Sequence, residues 1–289
     1  MIRRRKFRLR MPAHTLSLGE STFIMGVLNV TPDSFSDGGE FASSEAAVPR
    51  ALEMEAAGAD ILDIGGESTR PGSVAISADE EVARVMPVLN ALRGRLRIPI
   101  SIDTRKAAVA EAAIAAGAEI INDVSALQFD PALGEIARRR RVPIILMHMR
   151  GQPATMQKDP FARNVFHDVI AGLRAAIVRA RRARIAKSKI VLDPGIGFGK
   201  SIRQNFELLA HLPRLAALGY PLLIGTSRKA FLGATLGGAK SPAPPDERIW
   251  GTAATVTAAI LNGAHIVRVH DAAEMAQVAR VADAIAAEL

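Results

Sequence analysis

Three segments of the chain share one order of polar and apolar positions. In each, an alanine-rich stretch ends at a glycine, and an apolar run then leads into a polar side chain; the segments are AAGADILDIGGES (56–68), AAGAEIINDVSA (115–126) and LNGAHIVRVHD (261–271). Gly58, Gly117 and Gly263 suit the left-handed position that follows the last turn of a helix. The order therefore predicts a helix that ends at the glycine and a strand that follows directly.

Five further apolar runs extend this alternation to eight predicted strands. They are the opening run at Phe23–Asn29 and the segments IPISIDT, VPIILMHM, SKIVLDPG and YPLLIGTS, and helical sequence separates each run from the next. The runs are continuously apolar, as in a parallel sheet that is buried on both faces. Eight such units in about 260 residues predict a single-domain α/β protein, the (β/α)8 TIM barrel. An open doubly wound sheet is less suitable, because residues 29–39 lack its glycine-rich phosphate turn.

Composition restricts the classes of protein further. The chain has 289 residues, of which 49% are hydrophobic and only 4% aromatic, so an aliphatic core is expected. No stretch of about 18 uncharged apolar residues is present, so we expect no membrane-spanning helix. The absence of cysteine excludes disulfides and thiolate chemistry.

Much of the net charge of +8 belongs to the first ten residues, which carry six basic side chains and no acidic one. We therefore interpret residues 1–17 as a solvated basic extension of a cytoplasmic protein and 18–289 as the barrel domain. An Arg-rich transit peptide is the alternative, although the tail is short and lacks serine. We expect no nucleic-acid partner, because no basic recognition fold with stacking aromatic side chains is visible.

A hydrogen-bonding or charged side chain ends every predicted strand. The set is Asn29, Asp63, Asp103, Asn122, His148, Asp193, Thr226 with Ser227, and Arg268 with His270. Turn chemistry explains many isolated Asp and Asn residues at strand ends. Because the carboxyl ends of barrel strands face one pocket, the complete set instead predicts an active site there.

The chemistry of this set points to a flat heterocycle and a phosphate group. Carboxylates and amides can pair with the N–H and C=O groups of such a ring. Arg268 and His270 lie on the same side of their strand and suit a diphosphate. Two roles stay open for Asp63, namely orienting the 66–73 loop or touching the ligand. His148 likewise either contacts a ligand or bonds a neighbouring residue.

Five motifs along the chain resemble those of the dihydropteroate synthases of the folate pathway. They are GVLNVTPDSFSDGG, DIGGESTRPGS, SIDT with IINDVS, LDPGIGFGK with GTSRKAF, and RVHD. The resemblance implies a transferase that joins 4-aminobenzoate to (7,8-dihydropterin-6-yl)methyl diphosphate. It further implies Mg²⁺ as the cofactor, these small molecules as partners, and a homodimer formed through helices late in the chain.

The resemblance also implies a role for each matching residue. The pterin pocket comprises Asp103, Asn122, Met147, Asp193, Phe198, Lys229 and Arg268. Asn29 contacts Mg²⁺, while Arg268 and His270 bind the diphosphate. The 4-aminobenzoate site comprises Phe35, Thr69, Pro71 and Ser227, on or beside the loops 30–39 and 66–73. Arg70 is a further expected substrate-binding residue. Asp103, Asp193, Lys229 and Arg268 are the expected catalytic residues.

Two other functions are compatible with a pterin-binding barrel. A pterin-dependent methyltransferase domain would share the acidic residues of the pterin edge, but it would not need the 30–39 loop, residues 69–71 or the SRK sequence. A non-catalytic paralogue would bind pterin without reacting. The presence of both loops in this chain favours the synthase.

Overall fold

The computed structural model describes residues 3–31, 40–68, 72–151, 156 and 163–288. The strands in these ranges are β1 (Phe7–Arg10), β2 (Thr15–Leu18), β3 (Phe23–Asn29), β4 (Ile61–Gly65), β5 (Ile100–Asp103), β6 (Ile120–Asp123), β7 (Ile144–Met147), β8 (Ile190–Asp193), β9 (Leu223–Ile224) and β10 (Ile266–Val269). The helices are α1 (Glu40–Ala56), α2 (Ala78–Leu92), α3 (Ala107–Ala115), α4 (Ala132–Arg140), α5 (Val165–Arg182), α6 (Ile202–Ala210), α7 (Pro213–Ala216), α8 (Ala230–Gly237), α9 (Ile249–Leu261) and α10 (Ala272–Ala287).

The strands β3 to β10 form the predicted (β/α)8 barrel. Neighbouring strands from β3 to β8 pair in parallel in chain order, and β10 pairs with both β3 and β9. A parallel bridge between Leu192 and Leu222 joins β8 to the residue before β9 and closes the sheet. At least one helix follows every barrel strand, so the predicted βα alternation is confirmed.

Local sequence signals account for many of the element boundaries. The glycines expected to end three helices adopt positive φ angles: 100° at Gly58, 116° at Gly117 and 99° at Gly263. At the other end of a helix, the Ser77 hydroxyl accepts the Glu80 N–H at 3.1 Å and caps α2. These short-range contacts fix where each strand begins and therefore which side chain its carboxyl end presents.

The basic tail is not the solvated extension that the sequence predicts. Strands β1 and β2 form an antiparallel hairpin, and the proposed boundary between residues 17 and 18 lies inside β2. Leu9 and Leu18 are 2% and 1% exposed and pack on the apolar layer inside the amino-terminal end of the barrel. Arg4 donates to Thr22 Oγ1 at 2.6 Å and to Asp283 Oδ1 at 2.5 Å. Residues 3–18 thus close the barrel floor.

The signal for this hairpin is present in the sequence. Apolar residues alternate with polar or basic ones along FRLRM and TLSL, which is the period of a half-buried strand. The density of positive charge concealed that pattern, since alternate arginines face solvent while the apolar residues face the barrel. Among the described residues, no helix combines the length and apolar character needed to cross a membrane. The cytoplasmic location stays a prediction.

Replacing Leu9 with alanine should lower the free energy of unfolding by about 2–5 kcal/mol, because a buried leucine leaves a cavity when truncated. Urea denaturation measures the change. Arg8→Ala is the matched control, since Arg8 is the exposed neighbour in the same strand, and its effect should stay within about 0.5 kcal/mol. Equal effects of the two substitutions would contradict the assignment of the hairpin as the barrel floor.

Candidate active site

One arginine side chain links two acidic residues across the mouth of the barrel. Arg268 on β10 donates from Nε to Asp63 Oδ2 at 2.6 Å and from Nη2 to Asp103 Oδ2 at 2.7 Å. Because β3 lies between β10 and β4, the guanidinium reaches past one strand to Asp63 and past two to Asp103. Asp63 is fully buried and Asp103 is 7% exposed. The arrangement keeps both carboxylates paired where water cannot solvate them.

The same cluster keeps acceptor atoms available for a ligand. Asn122 Nδ2 donates to Asp63 Oδ2 at 3.0 Å. The other carboxylate oxygens, Asp63 Oδ1 and Asp103 Oδ1, are buried and have no hydrogen-bond partner among the described residues. Burial raises the pKa of Asp103 to about 7, and the nearby Asp63 adds to this rise while Arg268 opposes it. A ligand that presents N–H groups would satisfy these oxygens.

The contacts of Asp63 bear on one of the two roles left open for it, namely orienting the 66–73 loop. Within the described residues Asp63 bonds Arg268 and Asn122, and neither belongs to the 66–73 loop. The expectation that Asp63 orients this loop through its backbone is therefore wrong for the described part of the loop. The carboxylate instead positions two side chains of the predicted pterin pocket.

A loop between β8 and α6 joins three other predicted site residues. Asp193 at the end of β8 accepts the Gly195 N–H at 2.7 Å, and the Lys229 ammonium donates to the Ile196 carbonyl. Lys229 Nζ also lies 4.6 Å from the centre of the Phe198 ring. Burial raises the pKa of Asp193, and it lowers that of Lys229 to about 8, while each residue's charge opposes the other's shift.

Glycine is required at positions 195 and 197 of this loop. Gly195, Gly197 and Gly199 have φ angles of 66°, 85° and 64°. A Cβ on Gly195 would lie 1.9 Å from the His148 carbonyl oxygen, and one on Gly197 would lie 2.7 Å from Lys229 Cδ. The sequence GIGFG thus allows the backbone to approach both the strand end of β7 and the lysine side chain.

The turn after β9 places Ser227 beside His270. The Ser227 hydroxyl lies 3.0 Å from His270 Nδ1 and accepts the His270 N–H at 3.1 Å. Arg228 has a φ of 58°, an uncommon value for a residue with a side chain. Its guanidinium bonds Asp271, with Nε 3.1 Å from Oδ2, which holds the turn in this conformation. Sequence reasoning missed Arg228 and Asp271, although both lie within quoted motifs.

Three further predicted residues lie at the barrel mouth: Met147 and His148 at the end of β7, and Asn29 at the end of β3, which β4, β5 and β6 separate from β7. Met147 is 3% exposed, and its Cγ lies 3.3 Å from the position that a Cβ on Gly195 would take. His148 bonds a neighbour, since its Nδ1 lies 3.1 Å from Lys200 Nζ. Burial, reinforced by the charge of Lys200, lowers the pKa of His148 to about 3, so the ring is neutral near pH 7. Asn29 is half-buried at the end of β3.

The donor set suits a loosely held Mg²⁺ ion rather than a closed protein cage. Asn29 offers an amide oxygen, and Mg²⁺ prefers oxygen ligands while keeping several waters. No group of three or more His, Asp or Glu side chains in the described part of the chain could hold a metal ion. Asn29 could therefore supply one ligand, with water and phosphate oxygens supplying the others.

Four predicted residues, Phe35, Thr69, Arg70 and Pro71, lie outside the described residues. The base of their second loop is described, and an ion network that the sequence did not reveal holds it. Glu67 bonds Lys106 at 2.8 Å and Arg105 at 3.0 Å, and Lys106 also bonds the buried Glu81. These partners are far apart in the chain, so no local pattern announces them.

The geometry defines a barrel enzyme with a polar, partly anionic pocket at the carboxyl ends of its strands. The family model of pterin binding enzymes matches residues 25–270. A dihydropteroate synthase of Synechocystis is 49% identical over 267 residues, covering 92% of this chain and 91% of the relative.

Solved structures agree with the sequence comparison. The Xanthomonas albilineans dihydropteroate synthase with 4-aminobenzoic acid has a TM-score of 0.89 and 43% identity, covering 97% of this chain and 98% of its own. The Clostridium difficile enzyme in the presence of pteroic acid has a TM-score of 0.86 and 44% identity, covering 93% and 98%. The chain belongs to the pterin binding enzyme family. Its relatives there are dihydropteroate synthases, transferases of folate biosynthesis, and it is an enzyme of that class.

Arg268→Met should destabilise the fold by about 3–5 kcal/mol at pH 8, because Asp63 and Asp103 lose the cation between them. Without that cation the pKa of Asp103, which burial already raises, rises further. The loss should therefore be smaller at pH 5, where Asp103 is protonated and carries no charge beside Asp63. Urea denaturation at the two pH values measures it. As a control, Arg138→Met removes an exposed pair with Glu135 and should cost below about 1 kcal/mol at either pH.

Proposed function

We propose that this enzyme joins 4-aminobenzoate to (7,8-dihydropterin-6-yl)methyl diphosphate, giving 7,8-dihydropteroate and diphosphate. The observation that carries the proposal is the buried group of Asp63, Asp103, Asn122 and Arg268, in which two carboxylate oxygens lack a partner among the described residues. The relatives solved with 4-aminobenzoic acid and with pteroic acid support the choice of substrates.

The pterin ring matches the acceptors and donors of this group together with those of Asp193 and Lys229. Its amino group and ring N–H can donate side by side to a carboxylate, a role we assign to Asp193, with Asp103 and Asn122 along the same edge. Lys229 would donate to the ring carbonyl and an adjacent ring nitrogen, while Arg268 covers the face of the ring. Met147 and Phe198 would form the apolar walls.

The same residues would support departure of the diphosphate before the amine attacks. Arg268 and His270 would orient the diphosphate, and Asn29 would hold Mg²⁺ through its amide oxygen. When bound, Mg²⁺ neutralises charge that develops on the leaving diphosphate. The positive charge left on the pterin methylene would be stabilised by the carboxylates of Asp103 and Asp193.

The nucleophile would enter on the side of Ser227. The amine of 4-aminobenzoate attacks the pterin methylene carbon, forms the C–N bond and then loses a proton. Phe35, Thr69 and Pro71 stay the proposed remainder of this subsite, and Arg70 stays a proposed substrate-binding residue beside it. Their loops would exclude water, which would otherwise capture the electrophilic carbon.

Incubation of the protein with the pterin diphosphate, 4-aminobenzoate and Mg²⁺ should release diphosphate and form 7,8-dihydropteroate. We expect release to require 4-aminobenzoate and to stop when a chelator removes Mg²⁺. Coupled phosphate detection and chromatography of the pteroate measure the two products. Pterin binding without release would instead favour the non-catalytic paralogue, and pteroate formation unaffected by the chelator would remove Mg²⁺ from the proposal.

Asp193→Asn is the variant that ties the activity to this pocket. The amide keeps the size of the side chain but removes its negative charge, so turnover should fall by about 100-fold or more. Glu135→Gln, an exposed carboxylate on α4, is the matched control and should retain wild-type turnover. Wild-type rates for Asp193→Asn would remove this residue from the proposed mechanism.

We also propose that the enzyme is a homodimer formed through α9 and α10, which pack on each other. Their solvent side carries apolar residues: Trp250 is 79% exposed, Val281 64% and Ile285 48%. Val281 and Ile285 lie one turn apart on the same face of α10. Exposed apolar side chains that share one helix face can form an interaction site.

Sedimentation velocity should show a dimer for the wild-type chain and a monomer for Val281→Glu, because a charge buried in an apolar interface is costly. Trp250 is the single tryptophan, so its emission should shift to longer wavelength on dissociation. Val178→Glu introduces the same charge at a 45% exposed position of α5 and should remain dimeric. A monomeric wild-type chain would contradict the proposal.

A further inference from the structure

Lys200 is a buried cation whose partners in the described residues include no carboxylate. It follows the GIGFG loop and is 4% exposed. Its Nζ lies 2.8 Å from the Gly195 carbonyl oxygen, 2.9 Å from that of Phe198 and 3.1 Å from His148 Nδ1. A buried ammonium is expensive unless hydrogen bonds satisfy it, so this lysine calls for an explanation beyond packing.

The three short contacts match the three N–H donors of an ammonium group. Carbonyl oxygens only accept, and the neutral His148 ring can accept at Nδ1 when its proton is on Nε2. Burial lowers the pKa of Lys200 to about 7, with Lys229 and Arg150 adding to this fall and Asp193 and Asp168 opposing it. The three acceptors therefore favour the protonated form of Lys200, whereas burial disfavours it.

The carbonyls that Lys200 bonds belong to the loop that carries the pterin pocket. Between Gly195 and Phe198, the Ile196 carbonyl accepts a hydrogen bond from the ammonium of Lys229. The Phe198 ring lies against that Lys229 ammonium. The Gly195 N–H bonds Asp193. The peptide unit that Lys200 bonds at the Gly195 carbonyl is therefore a direct neighbour in the loop of those that bond Asp193 and Lys229.

The glycines of the loop explain why it needs hydrogen bonds from Lys200. With Gly195, Gly197 and Gly199 all at positive φ, the loop has little intrinsic preference for its folded conformation. One further support comes from α6, where Asn205 Oδ1 accepts the Gly197 N–H at 2.6 Å. Lys200 contributes the larger share, because it bonds two carbonyls of the loop and also the end of β7.

We propose that Lys200 is a positioning residue for the pterin pocket, whose ammonium fixes the 194–199 loop and thereby the places of Asp193, Phe198 and Lys229. The inference rests on the proposed function, since it concerns how that same pocket binds its pterin. It assigns Lys200 no contact with the substrate.

Lys200→Met removes the ammonium while keeping most of the side-chain volume. The KM for the pterin diphosphate and the Kd for 6-hydroxymethylpterin, measured by calorimetry, should rise by about tenfold to 100-fold, since hydrogen bonds from a charged donor are lost. The KM for 4-aminobenzoate should change by less than about twofold, because its proposed subsite lies on other loops. A melting curve should show that the barrel remains folded; loss of the fold would mean that Lys200 stabilises the whole barrel and would overturn the proposal.

Lys189→Met is the matched control at the opposite end of the barrel. Lys189 Nζ also donates to backbone carbonyls, including that of Arg141 at 2.7 Å, but it has no contact with the 194–199 loop among the described residues. This substitution should leave both KM values unchanged. If it raised the pterin KM as much as Lys200→Met, the effect would be one of general stability and the proposal would fail.

The cysteine-free sequence allows a chemical rescue at a single site. Lys200→Cys is alkylated in the unfolded state with bromoethylamine or with iodopropane and then refolded, which gives side chains of lysine length with or without the ammonium. Pterin affinity should return with the aminoethyl group only; equal affinity of both products would overturn the proposal. Wild-type protein that neither turns over nor binds pterin would refute the proposed function itself, whereas active wild type with unaffected Lys200 variants would refute only this inference.

Discussion

Burying two negative charges side by side is costly, and the structure of the barrel mouth depends on the cation that neutralises them. Asp63 and Asp103 are both buried, and a single guanidinium bonds each of them. The planar guanidinium of Arg268 directs Nε to one carboxylate and Nη2 to the other in a fixed geometry that the single ammonium of a lysine does not have. Because the Arg268 side chain extends past β3 to β4 and β5, the cluster exists only when the strand order and register of the closed barrel are correct.

On the side of the pocket that contains Asp193 and Lys229, hydrogen bonds to the backbone replace direct ion pairs. Lys229 and Asp193 do not bond each other directly; each bonds a peptide group of the 194–199 loop. A loop with three glycines at positive φ can approach both side chains closely, at the cost of large conformational freedom before folding. Buried groups behind the loop, Lys200 and Asn205, compensate for that freedom with hydrogen bonds to its carbonyls and to one N–H.

The two ends of the barrel have different roles: the amino ends of the strands contribute apolar packing, and the carboxyl ends carry the candidate site. At the amino ends of the strands, Met25, Ile61, Ile120 and their neighbours form an apolar layer that the β1–β2 hairpin covers. At the carboxyl ends, the side chains are acids, amides and bases, several of them with pKa values moved by burial. This division is characteristic of barrel enzymes. It allows the floor to be tightly packed while the mouth keeps polar atoms available for substrate.

The sequence by itself determined the eight strands of the barrel, their parallel arrangement and the polar residues that end them. Those features depend on short-range patterns: continuous apolar runs, glycines after helices and turn residues after strands. Tertiary structure alone decided that Asp63 bonds Arg268, that Glu67 bonds Lys106, that Lys200 bonds His148, and that the basic tail forms the barrel floor. These contacts join residues whose separation in the chain carries no periodic signal, and they form only because barrel closure brings distant strand ends and loops together.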